Sequence, residues 1–113
     1  MVIGILRFVA ALGTIAVGVY SLVRPDNIRG FTGLEATGPR GITEIRAVLG
    51  GVFIGLGGAA LLLDAPPAYQ MLGITYLVVA LIRCFSMFLD RSVVTSNVLS
   101  ALVEIVFGII LMV

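Results

Sequence analysis

Four apolar stretches occupy almost the whole chain, and only short polar breaks separate most of them. A transmembrane helix needs about 20 mostly apolar residues, each advancing the helix by about 1.5 Å through a hydrocarbon layer about 30 Å thick. Val2 to Val23, Ile42 to Leu63, Ala68 to Leu89 and Val93 to Val113 each reach that length. Lipid offers no partner to a backbone N–H or C=O, so such segments must pair their own backbone as helices. The expected fold is all-α: a polytopic integral membrane four-helix bundle of antiparallel up-down topology, with residues 1–113 forming a single transmembrane domain.

Composition agrees. Hydrophobic residues make up 60% of the chain and charged residues 12%, with a mean hydropathy of +1.22. A soluble domain carries about 25% charge. A water-soluble core of this size has no room for the excess apolar surface. The opening stretch lacks a basic segment before its apolar run, and no small-residue cleavage pattern precedes Pro25. It is read as a retained spanning helix and not as a signal peptide.

The connections differ in kind. Asp64-Ala65-Pro66-Pro67 holds two prolines, which cannot continue a helix but can start one, so a tight hairpin is expected. Asp90-Arg91-Ser92 is a second tight turn, with Asp90 or Ser92 as a candidate cap for the fourth helix. These turns make helices two, three and four antiparallel neighbours. The first connection, residues 24–41, is long. Within it Ile28, Phe31 and Leu34 recur every three residues. The pattern suits a short helix on the membrane surface, which Gly30 and Gly33 would interrupt. An ordered polar loop is the alternative.

Arginines set the expected orientation. Arg24, Arg29, Arg40 and Arg91 lie in the first and third loops, with Arg46 and Arg83 nearby, while the opposite side has Arg7 alone. The positive-inside rule then puts those two loops in the cytoplasm and both termini outside, in a bacterial inner (plasma) membrane.

Small residues mark where the helices approach one another. Gly51, Gly55 and Gly58 share one face of the second helix, and Gly4, Ala11 and Gly18 recur at seven-residue spacing on the first. Lipid tails are as apolar as leucine, so helices in a membrane associate through close backbone approach at such strips. A close crossing of helices one and two is expected. The same strip is also suited to a homodimer.

Two ionisable residues stand deep in the apolar segments. Arg83 lies about six residues, or roughly 9 Å, from the end of the third helix, and Glu104 lies near the middle of the fourth. A lone charge at such depth costs at least about 2.5–3.5 kcal/mol, so each needs a partner, and the two are expected to pair. Asn97 and Ser100 share a face with Glu104, and Tyr76 shares one with Arg83. Arg7, Thr14 and Ser21 line one face of the first helix, and Glu44 and Arg46 stand where the second begins. These stripes are expected to converge on a polar intramembrane cleft open to the cytoplasm. The plainer alternative is an ion pair that fixes helix register, with Glu44 and Arg46 as an ordinary pair at a helix end. Tyr20, Tyr69 and Tyr76 otherwise serve as interface or packing aromatics, and Cys84 as a small apolar filler.

Several classes of chemistry are excluded. There is no histidine and one cysteine, which removes histidine-based metal and haem sites, Ser-His-Asp and Cys-His catalysis, and any intrachain disulfide. The net charge is +1 and all seven basic residues are arginine, with no basic run for nucleic acid.

The run TEIRAVLGGVFIGLG, with Arg83 and Glu104 downstream, resembles the (N/T)E-x-R-A-x-x-G-G-x-x-x-G signature of a bacterial family of small four-helix membrane proteins, domain of unknown function 4345. The resemblance covers nearly the whole chain. It implies a four-helix fold and carries over Glu44, Arg46, Arg83 and Glu104 as positions of interest, with no activity attached. Small multidrug transporters have a similar size, but their site resembles a glutamate in the first helix, which here has no acid.

The expected function is a binding or accessory protein. It would hold a lipid, quinone or small amphiphile in the cleft, or sit as a subunit of a larger membrane complex, with membrane lipids as its surroundings. A small proton- or ion-coupled transporter titrating Glu104 is the alternative, followed by a purely structural ion pair with no ligand. An enzyme acting on lipid has least support, because no nucleophile–base pair or carboxylate metal cluster is in view. No cofactor is implied.

Overall fold

The computed structural model describes Met1 to Val113 and contains no strand. Its helices are α1 (Val2–Val23), α2 (Arg29–Thr32), α3 (Pro39–Leu63), α4 (Pro66–Leu89) and α5 (Thr95–Met112). All except α2 are long and apolar enough to cross a membrane, and only 17–22% of each spanning window is buried inside the chain. The outward remainder is apolar, as at Leu81, Phe85 and Phe88 on α4, and water is the wrong solvent for it. The protein is a membrane-spanning four-helix bundle.

The helix ends follow local chemistry. Pro39 starts α3 and Pro66 starts α4, positions where the missing N–H has no partner to lose. Asp64 then takes a left-handed conformation that turns the chain between them. The start of α5 corrects the sequence reading. It begins at Thr95 instead of Val93, and neither Asp90 nor Ser92 caps it. Val94 is extended, and Asn97 Nδ2 donates to the Ser92 carbonyl (3.0 Å), so a first-turn side chain holds the turn from within the helix.

The long connection contains the short helix. Ile28 is fully buried, anchoring α2 to the bundle, and Phe31 packs its ring 5.6 Å from that of Tyr20 on α1. Gly33 ends α2 at φ 76°, where a Cβ would be strained. Near its start, α3 carries a π-helical turn at Ile45–Gly50.

The helices pack as two close pairs, α1 with α3 and α4 with α5. Gly18 faces Gly50 and Ile54, while Ala11 and Ile15 face Gly57, so α1 and α3 run antiparallel. Gly73 and Gly108 face each other across α4 and α5, also antiparallel. The core between the pairs is built on small residues: Ala10, Ala11 and Ala60, closed by Tyr69, Leu72 and Leu111. The result is a slab of 43 × 30 × 17 Å.

The expected crossing of helices one and two exists, but it uses different glycines. A Cβ built at Gly51, Gly55 or Gly58 would meet nothing within 4 Å, so that strip faces away from α1. Gly4 is likewise free of contact, whereas Gly18 lies at the crossing. Gly50 and Gly57 are also seven apart and lie one helical step away. They flank Ile54, which fills the space beside Gly18.

Two polar links join the helix pairs, one at an end and one midway. At the end, the Arg7 guanidinium lies 5.5 Å from the Tyr69 ring centre and donates to the Val113 carbonyl (2.6 Å), and Tyr69 donates to Asp64 (2.9 Å). Midway, Thr14 on α1 bonds Tyr76 on α4. Thr14 has already given its hydrogen to the Ala10 carbonyl (2.9 Å), so Tyr76 is the donor. Tyr76→Phe is expected to lose about 1 kcal/mol of stability in a micellar unfolding titration. An unchanged midpoint would show that this link carries no stability.

Candidate functional site: the Arg83–Glu104 cavity

Arg83 on α4 and Glu104 on α5 meet as the spacing predicts. Nε donates to Oε1 and Nη2 to Oε2 of Glu104, both at 2.8 Å. This two-bond arrangement fits the planar guanidinium to the carboxylate and fixes both in place. The third bond runs from Nη1 to Asn97 Oδ1 (2.8 Å). Asn97 and Glu104 are seven residues apart on one face of α5, so both reach the same arginine. Asn97 is itself held by Ser92, which ties the site to the turn before α5.

The pair is not sealed in a core. The side chain of Arg83 remains 30% exposed and that of Glu104 12%. Both line a cavity of about 600 Å³, within the range of small-molecule sites. Leu99, Val103 and Phe107 of α5 and Leu49 and Phe53 of α3 supply apolar wall. Tyr76, Ser21 and Ser100 add hydroxyls, and Phe31, Thr32 and Leu34 from the long connection close the end of the cavity nearest the first and third loops.

The site's formal charge is balanced: one guanidinium against one carboxylate. Three of the five N–H bonds of Arg83 are used, which leaves one on each terminal nitrogen. Neither the Ser100 nor the Tyr76 hydroxyl is hydrogen-bonded to Glu104. The arrangement sets a polar ion pair next to apolar walls.

Arg83, Glu104, Ser100 and Tyr76 thus come together in the cavity lining, and Asn97 joins them through its bond to Arg83. Glu44 and Arg46 do not join them. Glu44 pairs instead with Arg40, one turn back on the exposed surface, and Arg46 takes part in no ion pair. Residues two apart on a helix point to different sides, whereas residues four apart meet, which is why Glu44 finds Arg40 and not Arg46. Ser96, Thr32 and the apolar walls are the lining residues that sequence reasoning passed over. Ser96, Ser100, Glu104 and Phe107 recur every three or four residues, a signal present in the sequence.

No curated protein and no solved structure matches this chain. Its residues 2–113, which span the four helices and the paired charges, match a family model, and the chain belongs to the family described as Domain of unknown function (DUF4345).

Proposed function

We propose that this protein is a membrane-embedded binding protein whose cavity holds an amphiphile, with its polar head at Arg83 and Glu104 and its apolar body along Leu99, Val103 and Phe107. The observation that carries this reading is the cavity itself: about 600 Å³ with a fixed polar base and apolar walls in one continuous space. A register-fixing ion pair needs no such space beside it. Transport through Glu104 is less well supported, because both its oxygens already accept from Arg83 within the chain.

The placement that goes with this reading is a plasma membrane with the first and third loops in the cytoplasm. Arg24, Arg29, Arg40, Arg46 and Arg91 cluster at that end, against Arg7 at the other. An amphiphile would enter from the surrounding leaflet beneath α2.

Native mass spectrometry of protein released from membranes in mild detergent tests the proposal. Wild type is expected to carry a small-molecule adduct. Val103→Trp, which adds an indole to the apolar wall beside Glu104 and removes neither partner of the ion pair, is expected to fly bare. A bare wild-type spectrum would overturn the reading, as would an adduct that survives in Val103→Trp.

A further inference from the structure

We infer that the head group this cavity accepts is uncharged and carries hydroxyl groups: the head of a glycerol monoester or a long-chain alcohol, and not a carboxylate, phosphate or ammonium. The inference rests on the amphiphile-binding reading above and narrows it to a ligand class.

Charge gives the first half of the argument. An exposed arginine in a membrane cavity ordinarily suggests an anionic ligand. Here Glu104 already meets Arg83 with two bonds at 2.8 Å, and the two charges cancel. An added anion would bring uncompensated charge between apolar walls, next to a carboxylate. An ammonium would do the same beside a guanidinium.

The direction of the hydrogen bonds gives the second half. Ser21, Thr32 and Ser100 each line the cavity, and each donates its only hydroxyl hydrogen to the carbonyl four residues back, at 2.9, 2.8 and 3.0 Å. Tyr76 donates its own to Thr14. Ser21 is buried, and the Thr32 oxygen already accepts from the Leu34 N–H (3.0 Å), so the open lone pairs are the second one of Thr32 and those of Ser100 and Tyr76, and none of these hydroxyls has a hydrogen to give. The carboxylate of Glu104 adds further acceptors. Against these stand two N–H groups of Arg83 and the hydroxyl of Ser96. The lining is richer in acceptors than in donors, so its complement must bring hydrogens of its own. A hydroxyl does so, and its oxygen can still accept from Arg83. A methyl ester or a ketone offers acceptors only, and would set its oxygens against the remaining lone pairs of the lining with no hydrogen between them.

Three ligands with the same acyl chain separate the possibilities: monoolein, methyl oleate and oleate, titrated into the purified, delipidated protein at alkaline pH, where the acid is ionised. Monoolein is expected to bind at least about tenfold more tightly than either of the others, and Val103→Trp to abolish that binding. Oleate binding as tightly as monoolein would overturn the uncharged head while leaving the cavity an amphiphile site. Methyl oleate binding as tightly would overturn the hydroxyl requirement. Monoolein binding that persists in Val103→Trp would put the head elsewhere and end the inference. Binding of none of the three would overturn the amphiphile reading itself, and the inference with it.

Discussion

Replacing Arg83 by methionine is expected to destabilise the bundle by about 3 kcal/mol, and replacing Glu104 by leucine in the same chain is expected to restore most of that loss. Removing Arg83 alone leaves the Glu104 carboxylate, which is only 12% exposed, facing apolar walls with no counter-charge. Insertion scales put a lone charge at such depth at about 2.5–3.5 kcal/mol. The paired state is cheaper than either broken state, yet two apolar side chains of similar volume avoid the desolvation cost altogether. Equilibrium unfolding of the two single variants and the double variant in mixed micelles measures all of this in one cycle. A double variant as unstable as Arg83→Met would mean that the pair is not the coupled unit the geometry describes. The same double variant separates fold from function. If it folds but carries no adduct in the mass spectrum, the charged pair serves the cavity. If it folds and keeps the adduct, the pair serves only helix register.

That the two residues meet is legible in the sequence because three rules point the same way. Each charge is too deep to stand alone, the Asp90-Arg91-Ser92 turn makes their helices antiparallel neighbours, and Asn97 repeats at seven residues from Glu104. The four spans are legible for a related reason: in lipid, length and hydropathy alone nearly determine the element. Details set by competition among equals are not. The second helix offers two glycine strips one step apart, Gly50–Gly57 and Gly51–Gly55–Gly58, and spacing alone favours the longer. The packing of Ile54 against Gly18 selects the shorter. Glu44 likewise had two arginines in reach along the chain, and helix geometry, once the helix is seen to start at Pro39, gives it to Arg40. Ile28, just before the α2 residues that line the cavity, is fully buried. No local pattern distinguishes that from an apolar residue resting on the membrane surface.

The glycine strips yield the second large effect. Gly18→Ala is expected to destabilise the protein by about 2 kcal/mol, in the range for overpacking a tight contact. The new Cβ would lie 2.8 Å from the Gly50 carbonyl oxygen and 2.9 Å from the Ile54 nitrogen, and both are backbone atoms that no rotamer change can move. The two helices must separate or slide, and with them goes the dispersion energy that holds a membrane crossing together. Gly51→Ala and Gly55→Ala are expected to behave in the opposite sense. Their Cβ atoms would meet nothing within 4 Å, and alanine gains up to about 1 kcal/mol over glycine in a helix interior. Unfolding midpoints of the three variants in the same micelles decide the matter. If Gly55→Ala is the damaging substitution and Gly18→Ala is harmless, then α3 is rotated by about one residue, roughly 100°. Leu49 and Phe53 would then leave the cavity wall. The contrast therefore tests the shape of the binding site as well as the packing, because the helix phase that places Gly50 against Gly18 also turns Leu49 and Phe53 towards Arg83 and Glu104.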